Sequence, residues 1–135
     1  MAAQPTTGTQ PDDLAAIRQT ALDYAEGYYE GDAERMRRSL HPDLAKRTVF
    51  RDDETGAYRV HETSQQQLVD ITQRGGGSRI PAGQRTYAVT ILDVYGDIAC
   101  VRADSYLFVD YLHLARWEGR WVIVNALYAD NLTNR

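Results

Sequence analysis

Apolar residues recur at spacings of three and four through Leu14, Ile17, Ala21, Tyr24 and Tyr28, which predicts one continuous helical face. Pro11-Asp12-Asp13 opens this helix with carboxylates able to cap free backbone N–H groups, and Gly31 breaks it. The stripe begins aliphatic and ends in two phenols, so one end of the helix carries polar atoms inward. Asp32 can cap a second helix over 33–40 that turns Met36 and Leu40 inward. His41-Pro42 ends it, because proline disfavours helical geometry in the residue before it. Leu44 to Phe50 and Tyr58 to Glu62 read as strands around a turn at 51–57. Ser64 and Gln67 form a possible capping box for a third helix with Leu68 and Ile71 facing inward. Gly75-Gly76-Gly77 stops that helix as a C-cap and loop; no lysine or serine follows in phosphate-loop order. Four strands fill the rest: Arg85 to Tyr95, Ile98 to Tyr106, Phe108 to Trp117 and Arg120 to Tyr128. Turns at Gly96-Asp97 and Glu118-Gly119 join them in pairs. Helices first and strands after predict an α+β domain, with an antiparallel sheet covered by helices on one face. Residues 1–10 read as a disordered tail and 11–135 as a single domain.

Strand alternation assigns faces. With Arg116 placed toward water, Asp110, Leu112 and Leu114 fall on the outer face. Tyr111, His113, Ala115 and Trp117 then look inward. Arg102 outward likewise turns Ala99, Val101, Ala103 and Ser105 inward. In the last strand Trp121, Ile123 and Asn125 share the inner face, leaving Val122, Val124 and Ala126 outside. The outer face is then too apolar for solvent. A second copy is expected to cover it, giving a homodimer through the sheet.

At 135 residues and 43% hydrophobic, the chain is long enough for one domain with a real core. Fifteen basic against nineteen acidic residues give a net charge of −4, which argues against a nucleic-acid partner. Arg35, Arg37 and Arg38 are the local exception and read as the solvated face of a short helix. The single cysteine, Cys100, rules out an intrachain disulfide and reads as a buried inert thiol. No apolar run approaches the roughly 18 residues of a membrane span. The start lacks a basic region followed by an apolar one, so a cytoplasmic location is expected.

DVYGDIA (93–99) followed by DYLHLARWEGRWVIVN (110–125), with YYEGDAERMRRSLHPD (28–43), resembles the putative lumazine-binding branch of the nuclear transport factor 2 (NTF2)-like superfamily. The resemblance covers about residues 11–130. It implies a cone-shaped, cystatin-like fold, an internal pocket and usually a dimer. It implies no particular reaction, since the superfamily holds isomerases, dehydratases, cyclases, epoxide hydrolases and binding proteins.

His113 is the leading candidate for pocket chemistry, because an imidazole exchanges protons near neutrality. Its structural alternative is a histidine bonded to Tyr111 or a helix tyrosine. Tyr24 and Tyr28 can polarise a carbonyl or support a developing oxyanion, or simply pack with their hydroxyls at the rim. Asn125 can orient a ligand, Trp117 and Trp121 can form an apolar wall, and His61 can add a second acid/base group at the mouth. Asp104 and Asp110, placed outside, are discounted as bases. His41, His61 and His113 lack metal-ligand spacing, and no cofactor is expected. Three functions fit: a small-molecule binding domain, a cofactor-independent acid/base enzyme using His113 with a tyrosine, and a dimeric interaction module.

Overall fold

A computed structural model describes residues 11–134, so the tail expected over 1–10 lies outside the described residues. The elements run α1 (Pro11–Glu30), α2 (Ala33–Ser39), β1 (Leu40–Arg51), β2 (Tyr58–Thr63), α3 (Gln65–Gln73), β3 (Tyr87–Tyr95), β4 (Ile98–Ser105), β5 (Phe108–Trp117) and β6 (Arg120–Asp130). Short 3-10 turns sit at Ala82–Gln84 and Leu132–Asn134. This is the expected α+β architecture, with the helices on one face of a six-stranded sheet. The strand order is β2-β1-β6-β5-β4-β3. All neighbours are antiparallel except β1 and β6. That parallel pair joins the first strand to the last, with β2, α3 and the β3–β5 meander between them in sequence.

Local signals account for the helix ends. Asp32 accepts from Arg35 N at 3.0 Å at the start of α2, and Ser64 and Gln67 complete the capping box of α3. Helix α2 stops at Ser39 and the chain enters β1 directly, so His41-Pro42 lies inside the strand instead of closing the helix. Arg35 is not a solvated residue. It bridges the helices, bonding Asp23 at 2.8 Å and Glu30 at 3.1 Å and also contacting Glu26.

The core joins Ile17, Ala21 and Tyr24 of α1, Met36 of α2 and Leu68 of α3 to Val101, Leu112, Leu114, Trp121, Ile123 and Ala126 of the sheet. Two face assignments are corrected by this. On β5, Asp110, Leu112 and Leu114 are buried under the helices, while Tyr111 and His113 are exposed on the other side. The pivot of the expected assignment was Arg116. It stays on the helix side, at the end of the sheet, where it pairs with Asp13 of α1 and with Asp97 at 3.0 Å. A cation with two carboxylate partners had no need to face open water. On β6, the register slips between the His113–Asn125 and Leu114–Ile123 pairs, leaving Val124 as a bulge. Trp121 and Ile123 face inward as expected, but beyond the bulge Ala126 and Tyr128 take the inner side and Asn125 turns out. Ala99, Val101 and Ala103 of β4 are buried as alternation predicts. Cys100 is half-buried and sits on the opposite side of that strand, so it is not a core thiol. Of the dimer face expected from Leu112, Leu114, Val122, Val124 and Ala126, Leu112, Leu114 and Ala126 belong to the core instead, while Val124 borders the outer depression beside His113.

Candidate functional site

A cavity of about 200 Å³ opens between α1, α3 and the inner face of the sheet. Its walls are largely aromatic and aliphatic: Tyr24, Tyr28 and Tyr29 of α1, Met36 of α2, Leu68 and Ile71 of α3, Phe108 of β5 and Tyr128 of β6. The two phenols at the end of the α1 stripe do enter the interior. The glycine run after α3 lets a loop pack onto that end. A Cβ at Gly77 would stand 2.4 Å from the Tyr28 carbonyl oxygen, so only glycine permits this approach.

The polar floor is built from three elements. Lys46 of β1 and Asp110 of β5 face inward beside Tyr24 of α1. Lys46 Nζ donates to Tyr24 Oη at 2.5 Å, and Tyr24 Oη donates to Asp110 Oδ2 at 3.4 Å. Lys46 Nζ lies 3.7 Å from Asp110 Oδ1, close enough for an ion pair but beyond hydrogen-bond length. Asp110 Oδ1 is buried and has no hydrogen-bond partner. The Lys46 ammonium also sits over three rings, 4.6 Å from the centroid of Tyr128, 5.1 Å from Tyr24 and 5.9 Å from Phe108.

Burial pushes the Asp110 carboxyl above the ordinary carboxylate range, although the Lys46 charge and the Tyr24 hydrogen bond pull it back. Burial, then the Asp110 charge, holds the Tyr24 phenol well above its usual value, so it remains a proton donor. Tyr28 and Tyr128 are raised chiefly by burial as well. The floor therefore offers a desolvated carboxyl with an open acceptor, one cation and protonated phenols.

Of the residues expected to meet in a pocket, Tyr24, Tyr28 and His61 line this cavity. His61 is exposed at the rim, its Nε2 3.4 Å from Thr63 Oγ1. The others lie elsewhere. His113 and Asn125 are paired on the outer face at 3.1 Å between Nδ1 and Nδ2, with Arg47 reaching Asn125 Oδ1 at 3.4 Å. Tyr111 is exposed there too, with Arg102 5.9 Å from its ring centroid. His113 borders a shallow outer depression with Cys100, Asp93 and Val124. Trp117 packs edge-on against His41 at 4.6 Å. Trp121 is a core residue whose Nε1 donates to Asp13 at 3.2 Å, away from the cavity. Sequence reasoning missed Asp110, Lys46 and Tyr128. Two signals were available: Asp110 is a lone carboxylate in phase with Leu112 and Leu114, and Lys46 is the only lysine of the chain. Among the described residues no group of histidine, cysteine and carboxylate side chains is placed to hold a metal.

The sequence profile of the putative lumazine-binding family matches residues 12–129. No curated protein matches the chain. Among solved structures, an NTF2-like protein of Silicibacter pomeroyi superposes with a TM-score of 0.73 at 19% identity, covering 91% of this chain and 99% of that one. An NTF2-like protein of Methylobacillus flagellatus gives 0.69 at 22% identity, covering 95% and 99%. A ketosteroid isomerase-like protein of Erwinia carotovora atroseptica gives 0.57 at 12% identity, covering 90% and 98%. At these identities the likeness is one of fold. Among the described residues no helix is long and apolar enough to cross a membrane.

Proposed function

The chain belongs to the putative lumazine-binding family of the NTF2-like superfamily, and we propose that it binds a small organic molecule in the cavity floored by Asp110, Tyr24 and Lys46. The observation that carries this reading is Asp110 Oδ1, buried and without a hydrogen bond, its ion pair with Lys46 standing off at 3.7 Å. A buried acceptor without a hydrogen bond costs up to about 1–3 kcal/mol, only part of which the Lys46 charge offsets, and a ligand N–H or O–H placed against it would recover the rest. The aromatic walls around this polar floor have the usual composition of a small-molecule site. The ligand this geometry favours is compact, mostly apolar and carries a donor at one end. Thermal-shift and calorimetric titration with small heteroaromatic compounds, lumazine included, test the reading. Wild type should bind members of the set, and Ala103→Leu, which fills the cavity, should bind none of them. Equal responses from the two proteins would defeat the proposal.

Proton transfer is a second reading, favoured by the desolvation of Asp110. A carboxyl raised by burial is a stronger base once ionised, and Tyr24 keeps a proton for a developing oxyanion. Asp110 takes the place that sequence alone gave to His113. The probe is 5-nitrobenzisoxazole: a base takes its ring C–H proton, the N–O bond breaks and a coloured phenolate is released. Catalysis lost in Asp110→Asn supports this reading; equal rates in the two proteins remove it.

The outer sheet face, in this proposal, is covered by a second copy through a set of residues different from the one first expected. By alternation Val49, Val60, Ile98, Tyr111 and Leu127 share that face, and each is exposed. A run of this size across the sheet marks an interaction surface. The Arg47–Glu62 ion pair beside it lets a two-fold contact place each charge near its opposite.

A further inference from the structure

The chain carries fifteen basic residues, and every one except Lys46 is arginine. The exception stands in the cavity wall with its side chain only 12% exposed. Arginine holds its proton under all ordinary conditions, whereas a lysine amine can give up its proton and attack carbon. We propose that Lys46 is a nucleophile that condenses with the carbonyl group of a small aldehyde or ketone held in the cavity. The inference rests on the cavity being a binding site.

The neighbours of Nζ supply what such a condensation needs. Asp110 Oδ1, 3.7 Å away and free of hydrogen bonds, takes one proton from the ammonium. The neutral amine attacks the carbonyl carbon, forming the N–C bond, and Tyr24 Oη is placed beside the nitrogen to support the developing oxygen charge. A second nitrogen proton passes to that oxygen, giving a neutral carbinolamine. Asp110 then returns its proton to the hydroxyl, the C–O bond breaks, and water leaves. The balance is ammonium plus carbonyl giving iminium plus water, with Asp110 unchanged. Nitrogen is cationic at both ends of the sequence. The rings of Tyr24, Phe108 and Tyr128 therefore stabilise reactant and product alike. Holding the carbonyl against Nζ replaces an encounter in solution with an intramolecular step.

A single lysine makes the test direct, since the only other aliphatic amine is the chain's own α-amino group. The protein is incubated with benzaldehyde and sodium cyanoborohydride, and the benzylated sites are followed by peptide mass spectrometry. Lys46 should be labelled at least tenfold faster than the α-amino group of the same molecules, and Asp110→Asn should slow Lys46 by on the order of 100-fold while leaving the α-amine unchanged. Labelling of Lys46 no faster than the terminus overturns the proposal, and this comparison needs no variant to fold. Benzyl alcohol, of the same shape but without a carbonyl, separates the two ideas. Protection of the fold by benzyl alcohol without Lys46 labelling leaves a binding site and removes the nucleophile; failure of both removes both.

Discussion

Lys46 Nζ and Asp110 Oδ1 lie 3.7 Å apart inside the fold, an ion pair that stops short of a hydrogen bond. The carboxylate is thus screened by a cation yet keeps an open lone pair toward the cavity. Its raised carboxyl pKa sets a pH dependence. A carboxyl whose folded value exceeds its unfolded value favours the fold most when protonated. That contribution is complete below the ordinary value of 3.8 and fades as pH rises through the elevated one. Asp110→Asn, which cannot ionise, should therefore gain on wild type as pH climbs from 3 to 7. Urea unfolding across that range checks it; a difference that stays flat or shrinks would contradict the assignment.

The Arg35 clamp should behave in the opposite sense. Burial alone would raise Asp23, but its bonds to Arg35, Arg38 and Gln19 outweigh this and hold it low. Glu26 is lowered by Tyr87 and then by Arg35. Such groups stabilise the fold above their ordinary values of 3.8 and 4.5, and that stability is lost as pH falls through the lowered ones. Arg35→Met should cost about 1–3 kcal/mol at pH 7. The penalty should shrink toward pH 3, measured by denaturant midpoints at each pH.

Gly77→Ala should disturb the cavity more than its single methyl suggests. The added carbon would meet the backbone oxygen of Tyr28 at 2.4 Å, and backbone cannot swing aside. A loss of roughly 1–3 kcal/mol is expected, with a changed near-ultraviolet signal as Tyr28 shifts. Ligand responses of the cavity should fall in the same variant. Unaltered stability would show that the glycine loop does not press on α1.

The two sides of β5 and β6 should respond differently to the same change. Leu112→Glu buries an unpaired charge in the core and should abolish folding, read as loss of cooperative unfolding. Leu127→Glu sits on the exposed face and should leave the monomer folded while dissociating the proposed dimer, read by light scattering. A folded, stable Leu112→Glu would reverse the face assignment.

Where local chemistry determines structure, the sequence was readable. Asp32, the Ser64–Gln67 box and the turns at Gly96 and Gly119 mark their elements, and both glycines adopt positive φ. The α1 stripe was also readable, including the delivery of Tyr24 and Tyr28 to a cavity. The faces of β5 were not, because Arg116 satisfies its charge on the helix side through Asp13, a partner 103 residues away. Nor was the outward turn of Asn125, because nothing local in Val122-Ile123-Val124 announces a bulge. These two long-range facts moved His113 out of the cavity and brought Asp110 into it. Lys46 was legible as a solitary lysine, but its meaning required knowing what stands opposite β1.

The surplus residue in β6 has one more consequence. Val124 acts as a phase shifter between two halves of a strand, so Trp121 and Ile123 serve the hydrophobic interior while Tyr128, an odd number of positions later, still reaches the cavity. A regular strand over these same residues would instead turn Asn125 and Leu127 inward and send Tyr128 to the solvent side. The chemical character of the chamber thus depends on one looped-out residue: shortening the strand by Val124 would keep its lining, whereas pulling Val124 into the ladder would exchange Tyr128 for Leu127.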